Sequence, residues 1–243
     1  MTTDRANYGV DAPYVPTLMI AGGVVFTAVF LTGLVLGWGT GLETWWAVWA
    51  IVSLVSAASY LYTTRVGKIR CWSAILDQLE LRGDERVLDL GCGRGLVLIQ
   101  AAKRLPVGAA IGIDLWRGVD QSGNAIEVTA RNAAAEGVSD RVQLNTGDMT
   151  KLPYDDASFD LVVSSLAIHN IPSAAGRATA IDEAIRVLRP GGRLAVADIR
   201  HVRAYARRLE QLGARDVRRR GLGWRFWYGP WMPTKMVTAT KPN

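Results

Sequence analysis

Glu43 is the only charged side chain between Asp11 and Arg65. A helix needs roughly 20 predominantly apolar residues, rising about 1.5 Å each, to cross a hydrocarbon core of about 30 Å. Residues 18–38 meet that length, and residues 45–62 just reach it. A cleaved signal would begin with a basic leader and hold one short apolar run. The leading MTTDRANYGVD is not basic, and a second apolar run follows at once. Burying both runs as core helices would demand a larger soluble domain than this chain can build. Two membrane spans are the reading that remains.

The flanks orient that hairpin. The connection GTGLET is too short for anything but a tight turn, so both outer ends share one side. After the second run come Arg65, Lys68 and Arg70, and Lys/Arg enrichment marks the cytoplasmic side. Trp38, Trp45 and Trp46 at the turn, with Tyr60, Tyr62 and Trp72 at the other end, read as two aromatic belts. Gly33 and Gly37 form a GxxxG that packs on Ser53 and Ala57 of the partner span or on a second copy, which leaves a homo-oligomer through the hairpin open. The division expected is residues 1–66 for the N-terminal segment and hairpin and 67–243 for a cytoplasmic catalytic domain. On this reading, removing residues 1–64 should leave cofactor binding intact.

From residue 86 the pattern changes. Short apolar runs predict strands over 86–90, 109–114, 142–146, 159–165 and 193–198, with two closing strands near 216–220 and 234–240. Helical patterns fall between them at 96–105, 124–136, 174–188 and 202–212, and a helix over 68–81 links to the hairpin. Alternation of this kind makes βαβ units and a parallel sheet, an α/β fold. The turn after the first strand reads Gly91-Cys92-Gly93-Arg94-Gly95, which lets backbone approach a ligand where a Cβ would collide. Asp89 puts a carboxylate at its mouth. Asp114 ends the second strand, where an acid accepts from both hydroxyls of a ribose. Gly147-Asp148-Met149 follows the third strand, offering an acceptor for an adenine amino group and a cover for the ring. A dinucleotide fingerprint would place glycine at position 96, which is Leu96. An acid at position 89 opposes a pyrophosphate but suits a ligand with a free amino acid end.

With VLDLGCGRG, IGIDLW, NTGDMTKLPYDDASFDLVVSSLAIHNI and LRPGGRLAVADI in order over roughly residues 70–200, the chain resembles the class I S-adenosylmethionine-dependent methyltransferases, in particular the quinone and small-molecule branch. The resemblance implies a Rossmann-like seven-stranded sheet, its last strand antiparallel, with S-adenosyl-L-methionine over the strand ends. It places Asp89, Gly91 and Gly93 at the methionyl part and Asp114 at the ribose. Leu115 or Trp116 would lie against the adenine, with Asp148 and Met149 holding it beside Gly147, and the backbone near Ser165 would lie close to the sulfonium. Cys92 sits in the cofactor turn, where a small packing role suits it. The membrane hairpin is no part of the family pattern.

A methyl on a sulfonium is already electrophilic, so alignment in a dry site accounts for much of the rate. The acceptor's proton must still leave, and His169, just past the fourth strand, is placed to act as the base or to orient the acceptor. No metal-ligand spacing is present, and Cys71 and Cys92 make no disulfide framework. The fourth strand lacks the [N/D]-P-P-[Y/F] of amino-methylating nucleic-acid enzymes. From residue 200 to the end there are eleven Lys/Arg against Glu210 and Asp216, mixed with Trp224, Phe226, Trp227, Tyr228 and Trp231. Arg and aromatics together suit bases but equally a lipid headgroup layer, and the spans upstream favour the bilayer over nucleic acid. A small lipophilic acceptor partitioned in the membrane is therefore expected (a quinone, lipid, phenol or thiol). A membrane-tethered RNA methyltransferase and a non-catalytic S-adenosylmethionine-binding adaptor are the alternatives.

Overall fold

The computed structural model describes residues 6–118, 121–229 and 232–242. Two long helices lead the chain, α1 (Tyr14–Leu36) and α2 (Thr40–Tyr62). The first ends because Gly37 takes a left-handed φ of 67°, and the Trp38 N–H donates back to the Gly33 carbonyl at 3.2 Å. The turn is thus Gly37-Trp38-Gly39, and most of the expected GTGLET connection is instead the opening of α2. The helices pack side by side at Gly23, where a Cβ would sit 2.6 Å from the Leu54 side chain. Gly33 does not meet Ser53 or Ala57: it lies against Trp38 of the turn and Glu43 of α2, and Gly37 faces open space.

Both helices are long and apolar enough to span a bilayer, and only 11% and 22% of their most apolar windows are buried. A core helix of a soluble domain would be mostly buried, which these two are not. Val35 is 85% exposed and Leu18 68%. A π-helical turn, Thr63–Gly67, carries α2 straight into α3 (Lys68–Gln78), making Thr40–Gln78 one continuous helix. The expected boundary at residue 66 falls inside that turn. Such π insertions gather at functional sites. Here the turn receives the loop after the sixth strand, and a Cβ on Gly67 would lie 1.7 Å from the Arg225 carbonyl oxygen.

The sheet has the strand order β3-β2-β1-β4-β5-β7-β6. Its strands are β1 (Arg86–Leu90), β2 (Ala109–Asp114), β3 (Val142–Thr146), β4 (Phe159–Ser165), β5 (Leu188–Asp198), β6 (Arg215–Gly221) and β7 (Lys235–Thr240). The first five pair in parallel and β7 runs antiparallel to both its neighbours. This is the expected Rossmann-like seven-stranded arrangement. Helices α4 (Leu96–Ala102), α5 (Ile126–Ala135), α6 (Ala174–Val187) and α7 (Val202–Gln211) cover its faces. β5 begins five residues early because Leu188 already pairs with Phe159, before the register shifts to Leu161 opposite Arg193. Every residue of α4 is buried, and with Trp72 and Phe226 it fills one side of the sheet, while Phe159, Ile181 and Tyr205 fill the other. The order reverses between β1 and β4, and ligands of such sheets bind at the carboxyl ends of the strands there.

Two of the three rings of the second aromatic belt prove to be interior, and Tyr62 is half-buried. Trp72 is fully buried, its indole N–H donating to Ser165 Oγ at 2.8 Å, and Tyr60 is 3% exposed with its hydroxyl donating to the Asp11 carbonyl. Both rings belong to the junction between hairpin and sheet.

Candidate active site

One cavity of about 640 Å³ opens at the reversal point. Of the residues picked out from the sequence, Asp89, Gly91, Cys92, Gly93, Asp114, Leu115, Gly147, Asp148, Met149, Ser165 and His169 all line it. Trp116 does not. Its φ is 56°, and its indole turns to the end of β3, donating to Thr146 Oγ1 at 2.9 Å, so Leu115 is the residue left to face an adenine.

The glycine turn after β1 is a folded clasp. Gly91 donates to the Ile113 carbonyl at 2.8 Å with φ at 70°, and a Cβ there would be 2.2 Å from the Ala167 Cβ. Gly93 donates to Asp114 Oδ2 at 2.8 Å, while Trp116 N–H donates to Oδ1 at 2.6 Å. The Asp114 carboxylate therefore ties the ends of two loops as well as facing the cavity. Asp148 is set by donations from the Thr150 N–H and hydroxyl at 2.8 and 2.9 Å. The Cys92 side chain packs toward Gly112, and burial first, then the charges of Asp89 and Asp114, push its thiol up; it is a packing residue.

Asp89 is 1% exposed, with Oδ2 accepting from the Leu98 N–H at 3.0 Å and Oδ1 left without a partner. Burial pushes its carboxyl up to about 8, Asp114 adding to the rise and the Leu98 donation opposing it. An orphaned, buried acid at the mouth of the turn is complementary to an ammonium group. An ammonium beside it favours the ionised form, so binding an α-amino acid end should expel the Asp89 proton whenever the pH lies below about 8. Affinity for S-adenosylhomocysteine is therefore expected to climb with pH up to about 8 and then level off, by at most about tenfold per unit. Calorimetry in buffers of different ionisation enthalpy will count the proton, and Asp89→Asn should flatten the slope.

Across the cavity, His169 follows β4 and meets the end of β5. Its Nδ1 lies 2.6 Å from Asp198 Oδ1, a close contact that falls outside hydrogen-bond geometry and turns that ring nitrogen toward the carboxylate. Asp198 is fully buried and held by the Ile199 N–H, the His169 N–H and the Tyr205 hydroxyl at 2.8, 3.1 and 3.2 Å. Nε2 is the ring nitrogen left for the cavity. Asp198 went unread in the sequence, though an acid ending the strand beside a histidine-bearing loop was the available signal.

The remaining wall comes from the hairpin. Tyr14 and Val15 start α1, Tyr60 nears the end of α2, and Tyr228 and Met232 follow β6; all line the cavity. Ahead of α1, residues 7–11 lie as a strap over the cofactor loops. The Asn7 carbonyl accepts from Arg94 Nε at 2.8 Å, and Val10 N–H donates to Ser122 Oγ at 3.0 Å. Gln121 donates to the Tyr8 carbonyl and to Asp11 Oδ1, and its own oxygen accepts from the Arg94 N–H beside Gly93. The strap ends on a buried hub. Asp11 accepts from Lys68 Nζ at 2.7 Å, from Thr64 at 2.9 Å and from the Tyr228 hydroxyl at 2.6 Å. Burial pushes the Asp11 carboxyl up, but the Lys68 charge and the Lys68, Tyr228 and Thr64 donations outweigh it and hold it below its ordinary value. Asp11 precedes the first apolar run and Lys68 follows the second, three residues past Arg65, so nothing in the local sequence singled out this pair.

The strap fastens the loops around Gly93, which argues against removing residues 1–64 without cost to cofactor binding. Asp11→Ala leaves the Lys68 ammonium buried and unpaired. Stripping one partner from such a pair costs about 3–5 kcal/mol. Lower thermal stability in detergent is expected together with weaker S-adenosylhomocysteine binding; unchanged binding would show the strap to be an ornament.

Residues 81–218 match the family model described as a methyltransferase domain, over half of the chain. The chain belongs to the methyltransferase-domain family. It is 35% identical over 131 residues to the demethylmenaquinone methyltransferase of Lactiplantibacillus plantarum, covering 53% of this chain and 52% of that protein. It is 37% identical over 129 residues to the 27-O-demethylrifamycin SV methyltransferase of Amycolatopsis mediterranei, covering 53% and 44%. The chain thus spans about half the length of the curated relatives it matches. Among solved structures, the cyclase SpnF superposes with a TM-score of 0.57 at 21% identity, over 70% of this chain and 81% of that one, a likeness of fold alone. S-adenosylmethionine is the cofactor of this family. The residues fit it: an unpartnered buried acid for the ammonium, Asp114 for a diol, and a glycine turn folded so that backbone lines the cavity.

Proposed function

We propose that the chain is an S-adenosylmethionine-dependent methyltransferase held at the cytoplasmic face of a membrane, acting on a lipophilic acceptor that enters from the bilayer. The observation that carries this reading is the shared wall: Tyr14, Val15 and Tyr60, from the ends of two span-length helices, face the same cavity as Asp89, Asp114 and His169. Arg65 and Arg70 flank the same end of the hairpin, in keeping with a cytoplasmic site.

The bound cofactor supplies a methyl activated by its sulfonium. The chain's own residues align the acceptor, exclude water and take a proton. With Nδ1 turned to Asp198, Nε2 is the nitrogen that would take the proton a hydroxyl, thiol or activated carbon of the acceptor must give up. Val15, Ile199 and Met232 give the acceptor side an apolar lining that fits a ring or chain better than a charged polymer.

The test is incubation of the full chain in lipid with a radiolabelled methyl donor and a membrane extract. Label entering the organic phase supports the reading. Label confined to RNA or protein, or no label on any acceptor, would sink it.

A further inference from the structure

A second cleft, of about 210 Å³, lies at the edge of the sheet and shares no lining residue with the cavity; Val202, Arg203, Arg219, Arg220, Gly221 and Lys235 line it. No acid lines it. Arg220 is tied to Gln78 Oε1 at 2.8 Å, while the side chains of Arg203, Arg219 and Lys235 have no hydrogen-bond or ion-pair partner among the described residues. Three unpaired cations around one depression repel each other, and that arrangement is relieved by a bound anion.

Its place in the fold says which anion. Lys235 pairs in register with Asp198, so the cleft sits at the end of the sheet that carries His169 and the hairpin. Gly221 is three residues from Trp224, a reach of at most about 10 Å, and Trp224 stacks on Tyr62 at the base of α2 with ring centroids 5.5 Å apart. The Thr63 hydroxyl donates to the Trp227 carbonyl at 2.5 Å, fastening the same loop to the hairpin. Trp224 itself is 63% exposed. With the hairpin in a bilayer, the cleft therefore opens at headgroup depth.

We infer that this cleft binds the phosphodiester headgroup of an anionic phospholipid, Arg203 and Arg219 presenting their forks to phosphate oxygens and Lys235 a point charge. The inference rests on the membrane placement proposed above, but its test does not require insertion. Full-length protein in a neutral detergent is titrated with dihexanoyl phosphatidylglycerol or dihexanoyl phosphatidylcholine, both below their micelle concentrations, and adducts are counted by native mass spectrometry. Retention of the anionic lipid is expected to exceed that of the zwitterionic one at least about tenfold. The triple variant R203Q/R219Q/K235Q should bring the two within about twofold, each single substitution about threefold lower than wild type, with S-adenosylhomocysteine binding unchanged throughout. Equal retention of the two lipids, or full preference in the variants, overturns the assignment. Displacement by an equal concentration of glycerol phosphate would make the cleft a free phosphate-ester site. Tighter binding of single-stranded RNA, lost in the triple variant, would assign it to nucleic acid. Either result also overturns the lipid assignment, whereas failure of the hairpin to insert, read by protease protection of the loop at Gly39, would strike the membrane reading alone.

Discussion

His169→Ala is expected to lower methyl transfer by about 10²–10⁴-fold, the range for a positioned acid–base group, while S-adenosylhomocysteine binds as before. The separation follows from geometry. The ring of His169 is held by Asp198 at the end of β5, and among the described residues it makes no hydrogen bond to Asp89, Asp114 or the glycine turn. Asp198→Asn keeps the size and removes the charge beside Nδ1, so about a 10–100-fold loss is expected, as for outer partners of functional imidazoles. If His169 serves as a base, the variant's deficit at saturating acceptor should shrink as the pH rises and the acceptor sheds its proton unaided. A deficit independent of pH would reduce His169 to an orienting residue, and unchanged turnover would remove it from the mechanism.

The second large effect is on the donor. Asp114→Ala is expected to weaken S-adenosylhomocysteine binding about 10²–10⁴-fold, since hydrogen bonds to a charged group contribute about 1.5–3 kcal/mol each and tenfold in affinity is about 1.4 kcal/mol. Two diol contacts would be lost together. The Gly93 and Trp116 N–H groups would lose their acceptor as well, so the glycine turn would loosen around the ligand. Asp114→Asn retains an oxygen for one of those donors and should recover part of the loss. Wild-type affinity in the alanine variant would refute the placement of the ribose.

Much of this was readable in the chain beforehand, and the reason is local. Strands β1 to β4 match their expected bounds, and at the centre of the sheet short runs such as Leu161–Val163 are apolar, and buried, on both faces. The glycine turn carries its own signature in the alternate glycines Gly91, Gly93 and Gly95, each of which takes a positive φ. What escaped were contacts between parts distant in sequence. Trp72 and Tyr60 look like interface residues by composition, and only the docking of α3 against Ser165 and of Asp11 against α2 makes them interior. The aromatic loop divides in the same way: Phe226 and Tyr228 are buried, Trp224 is exposed, and Trp231 lies outside the described residues. Gly33 and Gly37 matched a motif, yet helix contact went to Gly23, because a left-handed glycine was needed first to end α1.

The unbroken helix from Thr40 to Gln78 has a mechanical meaning. A hinge between a membrane anchor and its enzyme lets the two move independently; a continuous rod does not. Here the rod runs from the hairpin turn to the indole that grips Ser165 at the cavity floor. A span tilts to match the thickness of its bilayer, and with no joint to absorb the tilt, the whole sheet must lean with it. On the membrane placement proposed above, the lipid composition would set the angle at which the cavity mouth meets the surface, and the supply of a lipophilic acceptor would follow bilayer thickness.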